Sequence, residues 1–238
     1  CYSSKIQDLF IKWGFVHSNC KNCDHIFVRN QLNKKTLMKI YDKSLVDNAF
    51  IKRRSKISLL TKYWNKVYTK YAELYLKKNS KILDVGCGNG EFLDILKKKF
   101  NYEKIFGSGF SSDQKNYLKK LLGNSYFHKM DLNQINKTKI KFDVITFWGV
   151  VEHLKNPLET IQMSKKILEK DGMILILVPN LRSRAFKLLG VNTPTLNPRE
   201  HLHFFTSKSM NYLAKKTNFR IVEFHQELPV IDLMYPYI

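Results

Sequence analysis

The spacing of apolar residues changes character along the chain, and each change marks an element. Between Ile57 and Tyr75, the residues Ile57, Leu60, Trp64, Val67, Tyr71 and Leu74 recur every three or four positions, with Lys62, Lys66 and Lys70 on the other side. That period predicts an amphipathic helix with one buried stripe. From Lys81 the pattern alternates. KILDVG (81–86) reads as a strand, and a glycine-rich turn leads into a helix over 90–100. A strand at 104–108, a helix at 112–122 and a short strand near 125–128 follow. FDVITFW (142–148) is an apolar run of the kind a strand buried on both faces requires. Asn156 as N-cap, Pro157 at the first helical position and Glu159 at the third open another helix. Gly172 is expected just past its end in a left-handed conformation. MILILV (173–178) reads as a central strand, with a helix near 207–217 and a strand at 220–225 after it.

Strands that alternate with helices need crossover connections, so the fold class is α/β with a doubly wound, mostly parallel sheet. The core is placed at 80–238. Residues 31–79 hold no glycine or proline and form a helical lid or linker. Residues 1–30 carry three of the four cysteines and β-like pieces such as HIFV (25–28), and form a small N-terminal head. A seventh core strand is sought in QELPVIDLMYPYI (226–238).

Composition narrows the classes. The stretch MILILVP (173–179) is far short of the roughly 20 apolar residues that span a bilayer, and no charged-then-apolar leader opens the chain. Four cysteines in 238 residues are too few for a disulfide scaffold, which fits a reducing cytoplasm. The net charge of +21 attracts polyanions. Only seven of the 41 basic residues are arginine, however, and arginine is the residue favoured for bidentate phosphate contacts. Solvated lysine faces are therefore preferred over a dedicated nucleic-acid surface.

The chemistry concentrates in Asp84-Val85-Gly86-Cys87-Gly88-Asn89-Gly90, between a predicted strand and a predicted helix. Glycines there let the backbone turn sharply and a ligand come close to it. Glu91-Phe92 follows where a phosphate-gripping loop would place Lys-Ser/Thr, which argues against a nucleoside triphosphate.

LDVGCGNGEFL (83–93), FDVITFWGVVEHLKNP (142–157), ILEKDGMILILVPN (167–180) and PREHLHFFTSKSMNYLAKKTNF (198–219) stand in an order that resembles the class I methyltransferases dependent on S-adenosylmethionine (SAM). The resemblance covers about residues 80–225 and leans toward their small-molecule and sugar-modifying members. It implies a cofactor turn over Gly86, Cys87, Gly88 and Gly90, with S-adenosylhomocysteine (SAH) as product. Asp84 would hold the methionine amino group and Asp131 the adenine amino group. The family's acidic residue for the ribose hydroxyls is replaced by Gly109, with Ser111, Ser112 or Asp113 as possible substitutes. The expected acceptor is a small molecule, a sugar or glycan-precursor hydroxyl, with RNA or a binding-only module as rivals.

Among candidate catalytic residues, His153 is the expected base because imidazole titrates near neutrality, and Glu152 would orient it or touch the cofactor. His201 and His203 form a second cluster expected at the same cleft. Metal-dependent relatives carry Glu-x-x-Glu-His; Gly149 stands at the first of those positions, so no catalytic metal is expected. Cys20-Lys-Asn-Cys23 fits one half of a tetrahedral zinc site. Its surroundings resemble zinc-ribbon heads, which implies Cys1 as a third ligand; His17 or His25 could complete the set instead.

Overall fold

The computed structural model describes residues 3–42, 58–110, 112, 114–193 and 195–225. They divide into two compact units. One gathers Cys1–Asn33, Gly149–Gln162 and Leu177–Ile238; the other gathers Lys34–Trp148 and Met163–Ile176.

The second unit holds the parallel sheet. Its strands are β4 (Ile82–Val85), β5 (Ile105–Gly109), β6 (Tyr126–His128), β7 (Phe142–Trp148) and β8 (Leu168–Leu177, whose last residue falls in the first unit), in the order β6-β5-β4-β7-β8. β4 pairs in parallel with β5 through Ile82↔Ile105 and with β7 through Ile82↔Val144. β5 pairs in parallel with β6. The chain runs outward from β4 to β6 and then returns to β7 on the other side of β4. The strand order therefore reverses between β4 and β7, and in open α/β sheets ligands bind outside the carboxyl ends of the strands at such a point.

Helices α1 (Lys34–Asp42), α2 (Ser58–Tyr75), α3 (Glu91–Phe100), α4 (Lys115–Leu122) and α5 (Leu132–Lys137) also belong to this unit. The core joins Ile82, Phe92, Leu93, Leu96, Ile105, Leu118 and Val144, all buried. In α2 the buried stripe runs through Val67, Tyr68, Tyr71 and Ala72, while Lys62, Lys66 and Lys70 face solvent. Leu74, expected on the stripe, is exposed. Tyr68 and Ala72 take over because they lie four apart with Tyr71 between them, and the contact face turns away from Leu74. Ile57 lies outside the described residues.

Two other expectations are corrected. Gly172 is not a left-handed helix cap, because α6 (Pro157–Ile167) passes directly into β8 and no positive φ is recorded at Gly172. Its reason for being glycine is proximity: a Cβ there would sit 3.1 Å from the Asp143 carbonyl oxygen. Residues 220–225 form no strand, and Val222 and Phe224 are exposed. Alternation alone does not make a strand where no neighbour pairs with its backbone. The sought seventh strand lies outside the described residues.

The first unit is built on an antiparallel sheet in the order β1 (Ile6–Lys12), β2 (Phe15–Cys20), β3 (Ile26–Val28) and β9 (His203–Phe204). The strands expected as a separate head thus share a sheet with residues from the far end of the chain, through Ile26↔Phe204 and Phe27↔His203. Ile26, Val28, Leu181, Leu196 and Phe204 form its core. Helix α7 (Arg184–Leu189) is capped by Ser183 and α8 (Ser207–Lys216) by Thr206, in a capping box with Ser209. The expected cap at Asn156 is present, with its Oδ1 accepting from the Glu159 N–H at 3.3 Å.

Phe147, in the interior strand β7, is fully buried. Phe147→Ala is expected to lower the unfolding free energy by about 3–5 kcal/mol, the usual cost of removing a buried aromatic ring. Urea denaturation reads this directly, and a loss below about 1 kcal/mol would show that β7 is not central to the core.

Candidate functional site

The turn after β4 is set by three glycines with left-handed φ: Gly86 at 67°, Gly88 at 53° and Gly90 at 78°. Side chains with a Cβ rarely adopt these angles. The turn is tied to the sheet by the Cys87 N–H, which donates to the Ser108 carbonyl at 2.9 Å, and closed on itself by the Gly90 N–H to the Cys87 carbonyl at 2.8 Å. The three glycines differ in what surrounds them. A Cβ on Gly90 would lie 2.7 Å from Leu118 Cδ2, so this glycine allows α3 and α4 to pack. A Cβ on Gly88 would meet nothing within 4 Å. Gly86 and Gly88 are exposed while Gly90 is buried. The open side of the turn is therefore at Gly86 and Gly88.

Asp84 lies within β4, one residue before its end, buried, with Oδ1 accepting from the Thr146 hydroxyl of β7 at 2.7 Å. Loss of water pushes its carboxyl up to about 7, against the opposing pull of the Thr146 bond. Burial, and then the Asp84 charge, push the Cys87 thiol up as well. Cys87 is a packed core residue rather than a nucleophile, since the thiolate is the reactive form. Trp148, at the carboxyl end of β7, was not singled out by the sequence. It packs against Tyr68, Tyr71 and Phe92 with ring centroids 5.2–6.0 Å apart. Its buried Nε1 has no hydrogen-bond partner among the described residues. A buried indole N–H normally finds one, so Trp148 offers a donor at the end of the sheet where the strand order reverses. The available signal was a donor-bearing aromatic closing an apolar strand.

Asp131 has a role the sequence did not reveal. It is the N-cap of α5, with Oδ1 accepting from the Gln134 N–H at 2.9 Å and its own N–H donating to Gln134 Oε1. Gly109 ends β5 and is buried; a Cβ there would lie 3.4 Å from the Tyr126 hydroxyl and 3.7 Å from Cys87 Sγ. Ser111 and Asp113 lie outside the described residues.

In the first unit the four expected catalytic residues separate into two groups. Glu152, His153 and His201 come together, each offering one potential ligand atom within 4.8 Å of the others. The rings of His153 and His201 meet edge to face at 4.6 Å. His203 instead pairs with His25, Nδ1 to Nε2 at 2.9 Å. Burial pushes Glu152 up to about 8, while burial and then His201 hold His153 down to about 3. His203 is held down to about 4 and His25 to about 3, also by burial first. An imidazole with so low a proton affinity is a poor general base, which weakens the expectation for His153.

Cys20 and Cys23 are buried at the end of β2, in a knuckle closed by the Asp24 N–H to the Cys20 carbonyl at 2.7 Å. Tetrahedral zinc takes four donors. The described residues bring two thiols together here, and His25, one candidate to complete the set, is engaged with His203. Cys1 lies outside the described residues. Among the described residues two thiols meet here, half of the four donors that tetrahedral zinc takes.

A reversed strand order, a glycine turn open on one side and a buried acidic residue close to the end of β4 define a doubly wound α/β domain, the class whose ligands bind outside the carboxyl ends of the strands. The comparisons make this specific. A family model described as a methyltransferase domain matches residues 57–224, and the chain belongs to that family. A ubiquinone biosynthesis O-methyltransferase of Pelagibacter ubique is 31% identical over 128 residues, covering 48% of each chain. A tRNA U34 carboxymethyltransferase of Campylobacter lari is 30% identical over 105 residues, covering 42% of this chain and 35% of its own. The chain thus spans between a third and a half of these relatives. A SAM-dependent methyltransferase of Archaeoglobus fulgidus has the same fold, with a TM-score of 0.58 at 20% identity over 76% of this chain and 80% of that one.

The Asp84 carboxyl generates a pH prediction. Seated beside Asp84, the ammonium of SAH would favour the ionised carboxylate, whereas burial favours the protonated form in the free protein. Affinity for SAH should be flat above pH 7 and fall below it, approaching about tenfold per pH unit. Calorimetric titration over pH 5–8 measures this. The slope should vanish in Asp84→Asn, and an unchanged slope in that variant would remove Asp84 from the site.

Proposed function

We propose that the chain binds SAM at the turn after β4 and transfers its methyl group to a hydroxyl oxygen of a small acceptor. The observation that carries this reading is Gly88. It is held left-handed, exposed, and free of any atom within 4 Å of where a Cβ would stand, at the carboxyl end of the strand beside the order reversal. A backbone stripped of side-chain bulk at that point has room for a nucleoside ligand.

SAM supplies a methyl group already activated by its sulfonium, so the protein's part is alignment and charge. Asp84, ionised by the ligand's ammonium, orients the amino-acid end. Trp148 Nε1 supplies an N–H to the carboxylate of that same end. The second oxygen of Asp131, not used in capping α5, accepts from the adenine amino group. With Gly109 in place of a ribose-binding carboxylate, the ribose hydroxyls are held by other groups, and affinity is correspondingly modest. Gly86 and Gly88 form the floor, while Cys87 and Gly90 stabilise the turn from beneath.

A small hydroxyl-bearing acceptor is supported by the O-methyltransferase relative and agrees in chemistry with the sugar-hydroxyl expectation. RNA is the second reading, favoured by the tRNA-modifying relative and the net charge of +21. The two separate by salt. An RNA acceptor predicts binding that weakens steeply with added salt, from counterion release, whereas a small neutral acceptor is nearly indifferent to it.

Gly88→Val should reduce SAH affinity at least about tenfold, since it combines a disfavoured left-handed φ with bulk in the ligand's space. The circular dichroism spectrum should remain that of the parent. Full-affinity binding in this variant would overturn the assigned turn. SAH release, followed by mass spectrometry against a panel of sugars, hydroxylated aromatics and RNA, tests the acceptor; turnover on RNA alone would reject the small-molecule reading.

A further inference from the structure

A nucleoside carries two adjacent ribose hydroxyls, and each needs a hydrogen-bond partner once it leaves water. With the amino-acid end of SAM at Asp84 and the adenine at Asp131, the ribose passes over the carboxyl end of β5, which lies between β4 and β6 in the sheet. The residue that ends β5 is Gly109, and it brings no side chain to that place.

A polar atom from the next strand stands there instead. Tyr126 opens β6 and pairs with Gly107, while Gly109 pairs with His128. The Tyr126 ring leans along the strand direction, as side chains in sheets do. Its hydroxyl lies 3.4 Å from where a Cβ on Gly109 would stand, with the ring carbon Cε2 at 3.9 Å. Gly107 and Gly109 fall on one face of β5 because directions alternate along a strand, yet their surroundings differ. A Cβ on Gly107 would meet Leu93 at 2.9 Å, Leu122 at 3.0 Å and Cys87 Sγ at 3.1 Å, which is core packing. At Gly109 the first atom met is the phenol oxygen. Glycine at 109 thus makes room for a hydroxyl.

That hydroxyl is held in place and stays protonated. Tyr126 is buried, and its Oη lies 3.3 Å from His128 Nδ1. Burial, and then the nearby Cys87, push the phenol up to about 12. A hydroxyl donates one hydrogen and accepts two. Where Tyr126 donates to His128 Nδ1, its lone pairs remain for a ribose O–H. In the other tautomer Nδ1–H donates to the phenol, whose own hydrogen is then left for a ribose oxygen. Both arrangements suit a ribose hydroxyl, which gives and accepts.

We propose that Tyr126 binds a ribose hydroxyl of the nucleoside through its Oη, in the place Gly109 leaves open, with His128 as the residue that positions it. The inference rests on the reading that SAM binds at the turn after β4. A neutral phenol makes a weaker bond than an ionised carboxylate, in keeping with a modest affinity.

Calorimetric titration with SAH and with its 2′-deoxy and 3′-deoxy analogues tests this without reference to activity. At least one analogue should bind the unaltered chain about three- to tenfold more weakly than SAH, the usual effect of one lost hydrogen bond. Tyr126→Phe removes a single oxygen and keeps the packed ring. It should weaken SAH by a similar factor and abolish the discrimination against that analogue, whereas a merely structural hydroxyl would weaken all three ligands alike. Equal binding of SAH and both analogues to the unaltered chain would overturn the assignment, as would a Tyr126→Phe chain that discriminates as its parent does; either result leaves the SAM reading standing. Absence of SAH binding by the unaltered chain would remove both.

Discussion

Four residues of β4, Ile82–Val85, are hydrogen-bonded in parallel on both sides, to β5 through Ile82↔Ile105 and to β7 through Ile82↔Val144. This double pairing fixes where the strand ends and therefore where the chain must turn. Because β5 and β7 lie on opposite sides of β4, the connections leave in opposite directions and the sheet edge opens at that point. Asp84 is buried because it belongs to this strand, and its bond to Thr146 is a cross-strand contact of the same ladder. The left-handed glycines then redirect the chain into α3 within the five residues from Gly86 to Gly90.

The first unit shows a different strategy. Its strands β1–β3 are completed by two residues of β9, nearly 180 positions later in the chain. A Cys-containing segment that reads as a self-contained head thus shares its core with residues from the far end of the chain. Asp24, immediately after Cys23, makes an ion pair with Arg182 at 2.9 Å and accepts through its carbonyl from the Thr206 hydroxyl. These contacts fasten the knuckle to the later residues. The same packing buries the histidines and accounts for their suppressed basicity.

Local signals in the sequence carried most of the fold. The period of the 142–148 run, the Asn156-Pro157 start and the glycine turn each specify their element without help from the rest of the chain, and all three stand where expected. What could not be read depended on partners distant in sequence. Gly172 resembles a helix cap until the Asp143 carbonyl is seen beside it. His201 and His203 are two residues apart, yet one faces His153 and the other His25. Leu74 fits the apolar stripe of α2 but lies beyond the surface that α2 contacts. At the candidate site, the left-handed turn of the glycines was legible because turn chemistry is local, whereas the burial of Asp84 against Thr146, the Trp148 donor and the capping role of Asp131 emerged only from three-dimensional neighbours.

The central claim is that the backbone following β4 receives the adenosyl ligand. Hydrogen exchange with and without SAH addresses it most directly, because it reports on the amides of that backbone themselves. The account predicts slowed exchange confined mainly to residues 84–91, with the amides around Gly88 most affected. Exchange in that segment unaltered at saturating SAH, with protection appearing elsewhere in the chain, would contradict it.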